Sequence, residues 1–249
     1  MRGTTRVAAL TAALIAVGGL LVAPAHADDD EPRLYEVTIK VRLAGQPLTP
    51  PLVATHRRSV EVFEVGEPAS LGVQEIAENG NLAPLHTSLL NTGGVADVVA
   101  AAAPLVGRGV PGAAQFDQSV TFTIEASEGA RYLSWVSMLI CTNDGFTGVD
   151  GLRLPGDVGD RVRVGTAGYD AGTEVNTEDF GDIVPPCQGL VGIRSPTGET
   201  GTGTTNPALA EGGVITHHPG IAGGVDLIPA FHGWDVDRAV AKIKVTRVA

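Results

Sequence analysis

Aromatic and sulfur-containing residues are scarce in this sequence of 249 residues, which has 4% aromatic residues, 2 Met and 2 Cys. Long runs rich in Ala, Glu, Lys and Leu are also missing, because 33 Gly and 16 Pro interrupt the chain. Long helices and coiled coils are therefore excluded, and many short strands joined by turns are favoured.

Basic residues are too few to balance the acidic ones, with 17 Lys and Arg against 28 Asp and Glu. Phosphate binding needs clustered Lys and Arg, so a net charge of −11 argues against nucleic acid as the main partner. The same charge is compatible with binding of cations.

The N-terminal segment has the pattern of an export signal. Two Arg within the first six residues precede an apolar run at 7–22, and Ala25-His26-Ala27 has the form of a signal-peptidase site. We therefore expect a signal peptide at 1–27, cleaved near Ala27, and a short acidic segment at 28–32. The alternative is an N-terminal membrane anchor, for which the run is short against the roughly 20 residues of a membrane span.

No later apolar stretch reaches membrane length, so the mature chain is expected to lack a membrane span and to be secreted, either to the extracellular space or to the periplasm. Export also bears on the redox state of the two cysteines, Cys141 and Cys187. An even number of cysteines in an oxidising compartment favours one disulfide, and two free buried thiols are the alternative.

The mature chain is mostly β in its patterning and shows no composition break, which predicts one domain over 33–249. Strict alternation at 34–43 places Tyr35, Val37 and Ile39 on one face and polar or charged residues on the other, as in a half-buried antiparallel strand. Three further strands are predicted at 119–125, 131–140 and 239–248.

Short helices are predicted at 69–79, 85–90 and 95–102, packed over an end or an edge of the sheets. A segment rich in Gly, Thr and Pro at 196–224 is interpreted as a long loop. The predicted fold class is therefore an all-β antiparallel sandwich with short helices in its loops.

Familiar catalytic motifs are not found in the sequence: there is no Gly-x-Ser-x-Gly, no His-Glu-x-x-His, no phosphate loop and no paired CxxC. His217 and His218 are a weak metal signal, because adjacent residues of an extended chain point to opposite sides. His56, His86 and His232 are isolated and are interpreted as structural. A carboxylate pair that acts on glycosides stays open, because its geometry is set in space.

Two acidic, Gly-bearing loops stand out, at 141–150 and 168–179. Ca²⁺ takes six to eight oxygen ligands from carboxylates and carbonyls on loops that can curl around it. Asp170 and Glu174 are separated by Gly172, so a curled loop could aim both at one point, and Asp144 could join them from the other loop. The alternative is that these loops are solvated turns.

The same residues carry a family resemblance. The sequence is similar to the spondin N-terminal domain (the domain of F-spondin and mindin) in its secreted bacterial form. The matching stretches are 35–39, 48–56, 137–140, 142–148, 169–174 and the His218-Pro219 pair. The Tyr-Asp-Ala-Gly-Thr run at 169–173 is the most specific of them.

The resemblance implies a C2-like antiparallel β-sandwich with one Ca²⁺ held by loops at one end. The acidic positions of the family fall on Asp144, Asp170 and Glu174, the last being commonly Asp in animal members. Those members are extracellular matrix and adhesion proteins. Their thrombospondin repeats and reelin-like domain have no counterpart here, so adhesion by those modules is not carried over.

Two functions follow as expectations. The first is a secreted calcium-binding module, without enzymatic activity, that binds an extracellular protein or polysaccharide at the cell surface or in adhesion. The second is a secreted hydrolase with an active site built from loops, which a deep pocket or a His beside a nucleophile would support.

Overall fold

The structure, a computed structural model, describes residues 32–249. The predicted signal peptide at 1–27, with its cleavage site, and all of the acidic segment except residue 32 lie outside the described residues. The strands are β1 Arg33–Val41, β2 Leu52–His56, β3 Val95–Ala100, β4 Ser119–Ala126, β5 Tyr132–Met138, β6 Gly145–Arg153, β7 Arg161–Thr166, β8 Gly168–Asp170, β9 Thr216–His217 and β10 Ala241–Arg247. The helices are α1 Leu71–Asn79, α2 Ala83–Leu90, α3 Pro186–Val191 and α4 Pro229–His232, with 3-10 turns at Pro111–Ala114 and Pro207–Leu209.

One sheet has four antiparallel strands in the order β4-β1-β10-β7. The first and last strands of the described chain are neighbours in it, paired from Tyr35 opposite Arg247 to Val41 opposite Ala241. The alternation seen in the sequence sets the orientation, because the apolar set of β1 is buried and its polar set faces outward.

The second sheet has six strands in the order β3-β2-β5-β6-β8-β9. β5 lies between β2 and β6 and is buried along nearly its whole length, as the apolar character of 131–140 predicts for a central strand. Trp135 faces the core between the two sheets, whereas Val136 and Met138 face the opposite side. The prediction of an all-β antiparallel sandwich is thus confirmed.

Helices α1 and α2 form a third layer over the outer face of the six-stranded sheet. α1 contacts β5 and β6, and its Val73 and Ile76 enter the core beneath the helices. The sequence shows why α1 is short: the Ser70 hydroxyl accepts a hydrogen bond from the backbone N–H of Val73, and Gly80 ends the helix with φ of 65°. The prediction that these helices cover an end or an edge is therefore wrong for α1, whose apolar side is buried on a broad sheet face, whereas α2 does contact the edge strand β3.

The predicted helix at 95–102 is also wrong, since residues 95–100 form the edge strand β3 against β2. This segment is rich in β-branched Val, which packs well on a pleated surface, and β2 offers an unpaired edge. The segment 196–224 is a long loop apart from the turn at Pro207–Leu209 and the two residues of β9. Within residues 32–249, no helix is both long and apolar enough to cross a membrane.

Candidate functional site

The pairing of β6 with β8 brings the two acidic loops together. Gly145, at the start of β6, lies opposite Asp170, at the end of β8. Asp144 precedes Gly145, and its backbone carbonyl accepts a hydrogen bond from Ala171 N at 3.2 Å. Residues far apart in sequence therefore become neighbours because of sheet register.

Asp144 is fully buried, with 0% of its surface exposed. Its Oδ2 accepts hydrogen bonds from Thr173 N at 2.8 Å, Thr173 Oγ1 at 3.2 Å and Glu174 N at 3.1 Å. Its Oδ1 is equally buried and has no hydrogen-bond partner. Burial, together with the nearby charge of Asp170, raises the pKa of Asp144 to about 6. The hydrogen bonds from Thr173 and Glu174 act in the opposite direction and lower it.

Asp170 is 7% exposed and holds its own loop in a curl. Its Oδ1 accepts from Gly172 N at 2.8 Å and its Oδ2 from Asn176 Nδ2 at 2.6 Å. Gly172 has φ of 67°, and a Cβ there would lie 2.5 Å from the carbonyl oxygen of Val214. Only glycine fits this turn without strain or collision.

Glu174 is 3% exposed and its carboxylate faces a different set of neighbours. Its Oε1 accepts from Asn206 N at 3.2 Å. Burial is the main cause that raises the pKa of Glu174 to about 7, and the charges of Glu78, Asp144 and Asp182 add to it. The structure thus places all three predicted ligand residues in one buried acidic region.

The tightest acidic group of the described chain lies nearby but is a different one. Oxygens of Asp179, Glu199 and Asp226 approach within 4.8 Å of one another, whereas Asp144, Asp170 and Glu174 do not form such a set. Asp179 and Asp226 are partly buried and accept backbone hydrogen bonds from Gly181 and Phe180. Sequence reasoning missed this group because its members come from three separate loop segments.

Glu178 is a further buried carboxylate that sequence reasoning missed. It accepts hydrogen bonds from three successive backbone N–H groups, those of Ala222, Gly223 and Gly224. It also has a φ of 56°, which is uncommon outside glycine. These bonds fasten the long loop at 196–224 to the second acidic loop, which is a structural role.

The predicted disulfide between Cys141 and Cys187 is confirmed, with an S–S distance of 2.02 Å and a Cα–Cα distance of 5.1 Å. It joins the loop that carries Asp144 to α3, just beyond the second acidic loop. His232 lies near both sulfur atoms, but cysteines in a disulfide offer no thiolate to a metal.

The side chains of His217 and His218 point in different directions, as predicted for adjacent residues of an extended chain. His217 is exposed and stacks on Tyr169 with ring centroids 5.3 Å apart. His218 is buried, accepts a hydrogen bond from Gly220 N at Nδ1, and has no partner at Nε2. Burial is the main cause that lowers the pKa of His218. The two imidazoles therefore do not share one ligand.

His56 does lie beside a hydroxyl, with Nε2 2.7 Å from Ser134 Oγ. Both residues are buried, so a substrate has no path to the serine. Ser134 also donates to Asp150 Oδ1 at 2.8 Å and accepts from Gly151 N at 2.9 Å. In a catalytic triad the carboxylate orients the histidine and the nucleophile is free to attack. Here the carboxylate of Asp150 instead accepts the hydrogen bond of the serine, so these bonds form a structural network.

A comparison with known protein families gives a match to this chain. The family model Spondin_N matches residues 46–178, a range that contains Asp144, Asp170 and Glu174. No curated protein matches the chain. Of the stretches that carry the resemblance, 35–39 and His218-Pro219 lie outside the match, and the other four lie inside it. Because the match spans more than half of the chain, the protein belongs to the spondin N-terminal domain family.

Proposed function

We propose that the protein is an extracellular binding module whose acidic loops hold one Ca²⁺ through the side chains of Asp144, Asp170 and Glu174. The disulfide and the family membership support an extracellular location. Backbone carbonyls of the same loops and water would complete the six to eight oxygens that Ca²⁺ takes.

One observation carries the proposal: Asp144 Oδ1 is a buried carboxylate oxygen that no donor of the described residues satisfies. A buried charge is costly unless it is paired, and the neighbouring charge that raises the pKa of Asp144 is the like charge of Asp170. A bound cation would satisfy the free oxygen and remove the repulsion between the carboxylates in one step.

The ligand chemistry favours Ca²⁺ over other divalent ions. All three side chains are carboxylates on loops, which suits a hard cation of flexible geometry. Mg²⁺ demands tighter octahedral geometry and keeps its water, and Zn²⁺ prefers His and Cys ligands. The cysteines of this region are joined in a disulfide, so they are not free to bind Zn²⁺.

The proposal is tested by thermal unfolding of the mature chain with added Ca²⁺ and with chelator. Ligand that binds only the folded state raises the melting temperature by mass action. Asp170→Asn is expected to remove most of the response, whereas Asp160→Asn, on an exposed turn outside the loops, is expected to keep it. A melting temperature that ignores millimolar Ca²⁺ in the unmutated protein would contradict the proposal.

The partner class is tested separately. The mature protein is presented to cell-surface polysaccharides and to extracellular matrix proteins, in Ca²⁺ and in chelator. We expect the protein to bind one of these two classes. Its binding is expected to depend on Ca²⁺ only if the acidic loops contact the partner. A secreted hydrolase, the second expectation, draws no support from the buried His56–Ser134 pair.

A further inference from the structure

The outer face of the four-stranded sheet carries a group of basic side chains that the overall acidity of the chain conceals. Alternation along β1, β7 and β10 directs five cations outward. We call this group the basic face; its members are Lys40, Arg161, Arg163, Lys242 and Lys244. The sequence has only these three lysines, and all of them lie here.

The sheet register places like charges directly opposite one another. Lys40 pairs with Lys242 across β1 and β10, and Lys244 pairs with Arg163 across β10 and β7. Adjacent strands lie only about 4.8 Å apart, and like charges directly opposite are destabilising. The arrangement therefore costs stability, and folding alone gives no reason for it.

The protein itself supplies little compensation. Lys244 Nζ forms a salt bridge with Glu36 at 3.2 Å, and the other four cations have no salt bridge within residues 32–249. The chain as a whole has a net charge of −11, so acidic residues are abundant elsewhere. Their near absence from this face leaves positive charge directed at solvent.

The basic face also has a concave part, a groove of about 380 Å³ whose lining residues are Thr38, Lys40, Arg163, Val164, Gly165, Lys242, Ile243 and Lys244. Gly165 lies opposite Lys242 and has no side chain to fill the space. A Cβ at this position would lie 2.7 Å from the Cβ of Ala239. Glycine at this position avoids the collision and leaves the groove open.

We propose that the basic face binds a linear polysaccharide that bears sulfate or other tetrahedral oxyanion esters. In a sheet, backbone positions lie about 5 Å apart across strands and about 7 Å apart for alternate residues along them, so these cations recur at a spacing that suits anionic groups repeated along a chain. Hydroxyl groups of Thr38 and Thr121, which are 2.9 Å apart, extend the polar surface beside the lysines. The inference rests on one part of the proposed function, namely that the protein is an extracellular binding module. It does not depend on the proposed Ca²⁺ site.

Two other polyanions fit the face less well. An anionic membrane is favoured by apolar side chains that insert beside the cations, and none of the exposed large apolar side chains lines the groove. Single-stranded nucleic acid is favoured by aromatic side chains for stacking, and the groove lining has none.

The test measures binding of the mature protein to immobilised dextran sulfate, with unsulfated dextran of equal length as reference and a series of salt concentrations. Lys40→Gln/Lys242→Gln is expected to weaken binding at least tenfold and to reduce the slope of log affinity against log salt by about 1.4, the value for two lost contacts to a flexible chain. Lys40→Arg/Lys242→Arg is expected to keep most of the affinity.

The matched control is Arg108→Gln/Arg194→Gln, which removes two exposed cations away from this face and is expected to change affinity less than about twofold. An equal loss in both double variants would overturn the inference, because net charge alone would then explain binding. Equal retention on unsulfated dextran would overturn it, as would binding to phosphatidylserine vesicles or duplex DNA without binding to dextran sulfate.

The two proposals fail separately. Retention on dextran sulfate is expected to persist in chelator and in Asp170→Asn, and Lys40→Gln/Lys242→Gln is expected to keep the calcium response in thermal unfolding. In the unmutated protein, retention on dextran sulfate without a calcium response would contradict the calcium site alone. A calcium response without retention on dextran sulfate would contradict the basic face alone.

Discussion

Asp144 is the residue at which the fold and the proposed ion are most tightly linked. Its buried Oδ1 has no partner, and Asp170 adds a second negative charge beside it. Without a cation the buried charge of this carboxylate opposes folding, and under the proposal it is a ligand of Ca²⁺. One substitution therefore separates the two roles.

We predict that Asp144→Asn raises the melting temperature of the calcium-free protein and abolishes the response to Ca²⁺. The amide oxygen can still accept the bonds from Thr173 and Glu174, while the buried charge is gone. The measurement is thermal unfolding in chelator and in Ca²⁺. A variant that melts lower in chelator would show that the negative charge itself stabilises the loops.

The pH dependence of the calcium-free protein follows from the same burial. The pKa of Asp144 rises from its ordinary value of 3.8 to about 6, and that of Glu174 from 4.5 to about 7. A folded state that holds protons more tightly than the unfolded chain loses stability as pH rises through the interval between the two values.

We therefore predict that stability in chelator falls as pH rises from about 4 to about 7, with a contribution on the order of 2–3 kcal/mol from Asp144. Denaturant unfolding at a series of pH values measures it. Excess Ca²⁺ should flatten or reverse the trend above pH 6, because it binds the deprotonated form. In Asp144→Asn the fall should shrink, which assigns it to this residue.

At Gly172 a single turn decides the shape of the second acidic loop. Gly172→Ala places a methyl group against the backbone of Val214 at a φ that L-residues rarely adopt. We predict a loss of about 1–3 kcal/mol in the free energy of unfolding and a weaker calcium response. Gly156→Ala is the control, because it has open space and ordinary φ, and it should change neither quantity measurably.

Among the elements, α1 is a short helix that stabilises the fold through one buried face. Ile76 is fully buried under the helix layer, whereas Leu71 is 67% exposed at the first turn. We predict that Ile76→Ala lowers the free energy of unfolding by about 2–5 kcal/mol, and that Leu71→Ala changes it by less than about 0.5 kcal/mol. Equal effects in urea unfolding would mean that α1 does not pack on the six-stranded sheet as described.

The elements also show where sequence reasoning succeeds. β1 and β10 were predictable because each buries one face only, and the period of two is then visible in the residues themselves. β3 was not predictable as a strand, because its pattern of burial is irregular and its pairing with β2 decides its conformation. The position of α1 and α2 over a sheet face depended on the same tertiary packing.

For the whole molecule, the disulfide connects the sheet to the acidic loops. Both cysteines are fully buried, and the bridge closes a loop of 46 residues that contains Asp144 and Asp170. We predict that Cys141→Ala/Cys187→Ala lowers the free energy of unfolding by about 2–4 kcal/mol and weakens the calcium response. Urea unfolding with and without Ca²⁺ measures both effects, and a reductant should destabilise the unmutated protein but leave the variant unchanged.

The sequence by itself determined the all-β class, three alternating strands, one apolar central strand and the disulfide partners, and it led to the proposal that Asp144, Asp170 and Glu174 bind an ion. Each depends on a local period, on a count of two cysteines or on a short motif, so the information lies within the residues concerned. The tertiary structure alone decided that β6 and β8 pair to bring Asp144 beside Asp170 and that Glu178 is bound by three N–H groups. It also gathered all three lysines on one sheet face, because strand register joins residues that are about 200 positions apart in the chain.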